Sequence, residues 1–368
     1  MKRRILCILL LLCLLLSACA GEAPVEAEAP EENQPAPIDR SQLGQKVAAF
    51  YLSPRSGLGS LAEEEDILLW ESVADFQEEE LLAQEIEKLL QAPEAGAVLL
   101  NENYSFYFPE TLNFSEILDE AEVRESPQFW VGCAGGEGTY SLARELDLLL
   151  EFNISAQARR MVEQAKQMGA ETLVYYIQSA HLFAFADQDK ALAAVLQSCA
   201  EQDIRFVPVV IPKKDVYDWE PILRRDVAQQ VETYGTNTAF AAIEGEMQWR
   251  LTTYCGLHGA IYPGSLYPRV NIEDPASLRP NAEGTGPNGR FADFPIASKE
   301  LGLRAAYEYA RLWLAGEVPA DAISLPRLEQ IMEEISGVDC HLEFESYFDN
   351  RQQNHVFYYI EPQLVEWE

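Results

Sequence analysis

Cations are scarce in this chain. Its 368 residues hold 27 Lys and Arg against 60 Asp and Glu, a formal charge of −33. A surface of that sign repels phosphate backbones and argues against nucleic acid as a partner. Histidine is rarer still, at four residues. None stands in an HExxH or CxxC setting, and Cys340 and His341 point to opposite faces of one strand, so no metal site is expected. Seven Cys are too few for a disulfide scaffold. Catalytic signatures are lacking too. No GxSxG elbow occurs, and Asp187-Gln188-Asp189 lacks the Gly and Glu that complete an EF-hand. Gly132, Gly135, Gly136 and Gly138 meet neither GxGxxG nor a Walker pattern, so they read as a mobile turn. The runs Glu63–Asp66 and Glu78–Glu80 read as solvated helix starts. No nucleophile, acid pair or cofactor motif stands out, and the chain is read as a non-enzyme without cofactor. An exported hydrolase ranks last among the readings.

What is present begins at the N-terminus. Lys2, Arg3 and Arg4 precede an unbroken apolar run, Ile5–Leu16. A spanning helix needs roughly 20 apolar residues, and this run is shorter, so it is the core of a signal peptide. Leu16-Ser17-Ala18-Cys19 resembles the lipobox of bacterial lipoproteins, in which the Cys receives diacylglycerol and becomes the new N-terminus. The alternative is an ordinary secretory peptide cut within Ser17–Ala20. Residues 1–18 are therefore a lipoprotein signal peptide, and lipidated Cys19 holds the protein to the extracytoplasmic face of the cell membrane. Residues 19–45 are an acidic tether. From Glu22 to Pro37 large apolar side chains are nearly absent, so the stretch cannot bury enough surface to fold.

Over the whole chain, 48% apolar and 24% charged residues match the balance of a globular protein. Short apolar runs at Val47–Leu52, Ala97–Leu100, Phe129–Val131, Leu146–Phe152, Leu173–Ile177, Phe206–Ile211 and Thr238–Ile243 alternate with helical patterns. Pro208 marks its strand as an edge or a bulge. Ser155 is the expected N-cap of a helix whose face is Ala158, Met161, Val162 and Ala165, closed by Gly169. Strands buried on both faces and alternating with helices predict parallel sheets. The architecture expected is α/β, two Rossmann-like lobes, 46–153 and 154–296. Residues 297–368 add a helix and paired strands, which return to the N-terminal lobe or stand as their own unit. Cys133, Cys199, Cys255 and Cys340 read as buried thiols, with a disulfide left open by export.

Several segments carry a resemblance: Gln167–Tyr176, Tyr234–Phe240, Met247-Gln248 and Gly289-Arg290-Phe291. In order and spacing they are similar to an uncharacterised bacterial lipoprotein family, a domain of unknown function that resembles type I periplasmic binding proteins. The likeness covers roughly residues 46–317. It implies two α/β lobes joined by hinge crossovers and closing on a small solute. Members carry Arg-His after the Leu173–Ile177 strand, where this chain has Ala180-His181. They carry Asn-Cys after the Thr238–Ile243 strand, where this chain has Glu244-Gly245. A lost cation and an added carboxylate imply a changed or lost ligand.

In open α/β sheets ligands sit beyond the carboxyl ends of the strands. That rule selects Ser53, Arg55, Asn101, Gln178, His181, Glu244 and Gln248 as candidate ligand contacts, with Arg290 added from the family-like Gly-Arg-Phe segment. Glu102, Lys213 and Lys214 lie at other strand ends, and Tyr51, Tyr104 and Tyr175 are candidates for stacking. Each of these is also an ordinary polar or aromatic loop end. Two readings follow. One is a membrane-anchored receptor that captures a small polar molecule for a permease or a sensor. The other is a relative without a solute, acting as a surface interaction module.

Overall fold

The computed structural model describes residues 39–366, apart from 53–57, 59–60, 62, 65–66, 73–78, 101–113, 135–138, 179–185, 212–218, 244, 269, 274–276, 279, 285 and 346–352. The leader, Cys19 and the tether up to residue 38 lie outside the described residues. Among the described residues no helix is long and apolar enough to cross a membrane.

The first run of elements is β1 (Lys46–Leu52), β2 (Ile67–Ser72), α1 (Glu79–Leu90), β3 (Ala95–Leu100), α2 (Phe114–Glu120), β4 (Phe129–Ala134), α3 (Thr139–Glu145) and β5 (Leu148–Phe152). The second is α4 (Ile154–Gln167), β6 (Thr172–Gln178), α5 (Ala186–Glu201), β7 (Arg205–Ile211), α6 (Trp219–Tyr234), β8 (Thr238–Ala242), α7 (Gly245–His258), β9 (Ile261–Tyr262) and β10 (Arg290–Asp293). After these come α8 (Ser298–Leu314), α9 (Leu325–Ser336), β11 (Cys340–Phe344), β12 (His355–Ile360) and β13 (Gln363–Leu364).

The strands form two sheets, ordered β11-β12-β5-β4-β3-β1-β2 and β13-β10-β9-β8-β6-β7. All pairings are parallel except β11 with β12 and β13 with β10. The central strands β3, β5 and β8 are buried along their whole length. Helices on both faces demand this, and it is why their sequences are largely apolar, with Glu151 of β5 and Thr238 of β8 as buried polar exceptions. β7 is an edge strand, which fits Pro208, because an edge position spares the ladder a donor that proline lacks.

One apolar cluster joins the two lobes. It runs from Ala97, Val131 and Leu150 of the first sheet, under Leu301, Tyr309 and Trp313 of α8, to Met161 and Ala165 of α4 and Leu173 and Ala241 of the second sheet. Trp313 stacks on Phe129 with ring centroids 4.9 Å apart. The opposite faces carry their own layers, with Leu82, Ile86 and Leu89 of α1 on the first sheet and Leu223, Val227, Met247 and Leu251 of α6 and α7 on the second. Helix α8 comes close enough to β4 that a Cβ on Gly302 would lie 2.5 Å from Cys133 Sγ and from Tyr358 Oη. A helical glycine costs roughly 0.5–1 kcal/mol against alanine, and here it permits that approach.

The chain passes between lobes three times: at Asn153, over residues 294–297, and over residues 361–362. The last segment is divided between the lobes. α8, β11 and β12 build onto the first sheet, while β13 pairs with β10 of the second. Helix α4 is capped by Asn153, whose Oδ1 accepts from the Ala156 backbone N–H at 2.9 Å. This corrects the expectation of Ser155. Asn153 is the last residue before helical backbone, whereas Ser155 already lies in the first turn.

Candidate functional site

Each sheet contains the same strand order, β2-β1-β3-β4-β5 in the first and β7-β6-β8-β9-β10 in the second. In such a sheet the direction of winding reverses once, between β1 and β3 and between β6 and β8. Loops diverge there and leave a crevice beyond the carboxyl ends. The crossovers leave from the carboxyl ends of β5, β10 and β12. Carboxyl edges of both sheets therefore lie at the junction of the lobes. Phe152 at the end of β5 has its ring centroid 6.3 Å from Tyr267, which follows β9, and 5.7 Å from Tyr358 of β12.

The residues selected from sequence follow these strands along the chain. Ser53 follows β1 and Asn101 follows β3; Gln178 ends β6, with His181 beyond it; Glu244 and Gln248 follow β8. Ser53, Arg55, Asn101, His181 and Glu244 lie outside the described residues, as do Glu102, Tyr104, Lys213, Lys214 and the side chain of Gln178.

Gln248 is described and is fully buried in the first turn of α7. Its Nε2 donates to the carbonyl of Ala242, the last residue of β8, at 3.1 Å. Its Oε1 is buried and has no hydrogen-bond partner among the described residues. A buried amide oxygen without a partner costs about 1–3 kcal/mol. It sits at the carboxyl end of a central strand, where a donor from a bound molecule would satisfy it.

Near the first sheet's carboxyl edge two polar contacts are seen among the described residues. Tyr51 Oη donates weakly to Glu71 Oε2 at 3.5 Å. Ser72 Oγ, at the end of β2, donates to buried Glu85 Oε2 of α1 at 2.5 Å. Tyr175 is buried at mid-strand beside Phe206 of β7, with ring centroids 6.1 Å apart. It is a core ring and not a platform for a ligand.

Arg290 requires correction. It is the first residue of β10, and β10 runs parallel to β9. Its guanidinium therefore lies at the amino-terminal edge of the sheet, opposite the carboxyl ends. Nη1 donates to the Met168 carbonyl at 2.7 Å, and Nη2 to the Thr236 carbonyl and Asn237 Oδ1 at 2.9 and 3.0 Å. Partial burial lowers its pKa from the ordinary arginine value. Gly169, at φ +85°, turns the chain just after Met168, and a Cβ there would lie 3.1 Å from Arg290 Nη1. Arg290 joins the turns that enter β6 and β8, which is a structural task.

Sequence reasoning passed over the crossover contacts. Asn153 Nδ2 donates to Glu343 Oε1 of β11 at 3.0 Å. Glu361, in the third crossover, accepts from Arg160 Nε of α4 and lies 3.1 Å from His341 Nε2. Gln157 Oε1 accepts from the Ile360 backbone N–H at 3.2 Å. Asn153, Arg160 and Gln157 stand 190 to 203 residues from these partners in sequence, whereas His341 and Glu361 stand 20 apart. Only their polar character was visible without the fold. Cys340 Sγ meets Ser336 Oγ while His341 turns to Glu361, so the two side chains serve different neighbours. Among the described residues no group of three or more His, Cys, Asp or Glu is placed to hold a metal.

A family model described as "Protein of unknown function (DUF3798)" matches residues 76–279, more than half of the chain. No functionally curated protein matches it. Among solved structures, the chain is similar to a protein from Clostridium difficile 630 that is provisionally assigned as a transcriptional regulator. The two share 15% identity over 88% of this chain and 99% of that one, with a TM-score of 0.70. An ABC transporter solute-binding protein from Bradyrhizobium sp. BTAi1, solved with bound bis-tris, gives 12% identity over 74% and 77%, at a TM-score of 0.48. The substrate-binding protein of a sugar ABC transport system from Bordetella parapertussis 12822 gives 8% over 88% and 90%, at 0.47. The duplicated strand order, the three crossovers and the first of these likenesses make the fold two-lobed α/β of the type I periplasmic-binding-protein kind.

Proposed function

We propose that this protein, which belongs to the DUF3798 family, captures a small polar solute between its two lobes. The observation that carries this reading is the duplicated strand order. It gives each lobe a crevice at its reversal point, with carboxyl edges of both sheets at the junction. Gln178, His181, Glu244 and Gln248 from the second lobe would meet Ser53, Arg55 and Asn101 from the first. Gln248 Oε1 offers an acceptor whose burial cost a solute donor would offset. Capture consists of polar contacts and hinge closure, with no bond made or broken. The crossover contacts of Asn153 and Glu361 lie where closure would bend the chain.

In this proposal a lipid on Cys19 holds the protein to the extracytoplasmic face of the cell membrane, and the acidic tether gives the body reach. The captured solute would pass to a permease or report to a membrane sensor.

Two measurements test the reading. Cells fed radiolabelled palmitate should label the wild-type chain and not Cys19→Ala; equal labelling of both sinks the anchor. Small-angle scattering should record a smaller radius of gyration when pooled sugars, nucleosides or amino acids are added. An unchanged radius with every pool counts against capture by closure.

A further inference from the structure

Helices α6 and α7 flank β8 and pack over the same face of the second sheet. Each connects parallel strands, so they run side by side in one direction. On their solvent side the seam between them opens into a groove of about 520 Å³. Glu220, Arg224 and Arg225 line it from α6, and Tyr254, Leu257 and His258 from α7. The size is in the range of small-molecule sites, about 300–1,000 Å³.

The charge of this groove runs against that of the molecule. Among the described residues the one carboxylate lining it, Glu220, is engaged. Glu220 Oε1 accepts from Tyr254 Oη at 3.1 Å and lies 3.2 Å from Arg250 Nε. Asp226, next to Arg225 on α6, turns inward to accept from Tyr176 Oη at 2.9 Å. Arg224 and Arg225 are exposed, and among the described residues neither has an ion-pair partner. Two adjacent guanidiniums thus face a groove whose wall carries Tyr254 and Leu257, on a chain of charge −33.

From this geometry we propose that the α6–α7 groove is a second ligand site, for a small organic carboxylate with an apolar or aromatic body. The guanidinium forks suit a carboxylate bidentately. Leu257, half-buried on the wall, suits the body. A long polyanion is disfavoured by the charge of the rest of the surface. The site lies on the outer helix pair and does not depend on solute capture at the lobe junction.

The test uses 2-naphthoate, a fluorescent aromatic carboxylate, with the anisotropy of its emission followed in titrations of the whole exported body at physiological salt. Saturable binding is expected. It should weaken at least tenfold in the double variant Arg224→Ala/Arg225→Ala, whose side chains are on the surface. The uncharged analogue 2-naphthamide should bind wild-type protein at least tenfold more weakly than the acid, a comparison that needs no variant. Absence of saturable binding, equal binding by the double variant, or equal binding of the amide each overturns the proposal.

Discussion

His355 Nε2 lies 2.8 Å from Glu151 Oε2, and both side chains are buried on the neighbouring strands β12 and β5. The pair ties the last part of the chain to the first lobe across 204 residues. Removing one partner takes a buried hydrogen bond from the other, which costs about 1–3 kcal/mol. His355→Ala should therefore lower the urea midpoint by that equivalent. A loss below about 0.5 kcal/mol would show that the contact is idle.

Gly302 predicts a reversal of helix propensity. Alanine is normally favoured in a helix by roughly 1 kcal/mol. Here its Cβ would meet Cys133 Sγ and Tyr358 Oη at 2.5 Å. Gly302→Ala should destabilise by about 1–3 kcal/mol through overpacking. Thermal unfolding at matched concentration checks this, and a stabilised variant would show that α8 is free to move away.

Arg290→Ala separates a structural arginine from a ligand contact. Loss of its three hydrogen bonds to Met168, Thr236 and Asn237 should cost about 1–3 kcal/mol of stability. Affinity for any solute bound at the lobe junction should stay unchanged, because Arg290 lies at the far edge of the sheet. A weakened affinity at retained stability would return Arg290 to the site.

The four cysteines of the body are buried thiols outside any disulfide. Burial raises Cys199 to about 12 and Cys340 to about 11 from the ordinary 9.0, and pushes Cys255 up as well. Tyr176 and Tyr262 are raised in the same way. The folded state keeps these protons while the unfolded state releases them. The stabilising contribution is therefore full below about pH 9 and is lost as pH rises toward the folded values. Urea midpoints should fall between pH 8 and pH 10.5. Maleimide should label these thiols slowly in native protein and all four rapidly in urea. Fast native labelling at pH 8 would contradict their burial.

Much of this fold is legible in the sequence, for a physical reason. β3, β5 and β8 are sandwiched between helices, so burial on both faces writes a largely apolar run. Pro208 marks an edge because proline gives the ladder no donor. β2 escaped notice: Ile67–Ser72 is an edge strand whose burial is only partial until its last residue. β9 and β13 are two residues each, too short for any period. The rule of strand carboxyl ends led to Gln248 at the reversal point of the second sheet. Arg290 came instead from the family-like Gly-Arg-Phe segment, and a likeness in sequence does not disclose which edge of a sheet a residue occupies. Arg160 with Glu361 was invisible for another reason, since that pairing exists only once three crossovers have closed.

The measurement that tests the central claim most directly is a thermal-shift screen of the body, residues 40–368, against sugars, nucleosides, amino acids and peptides. A solute that binds only the folded state adds about 2.7 kcal/mol at a hundredfold excess over Kd. Capture at the reversal points predicts a raised midpoint with one class, and its loss in His181→Ala, Glu244→Ala and Gln248→Ala. No shift with any class in a well-folded sample, or a shift that survives all three substitutions, would contradict it.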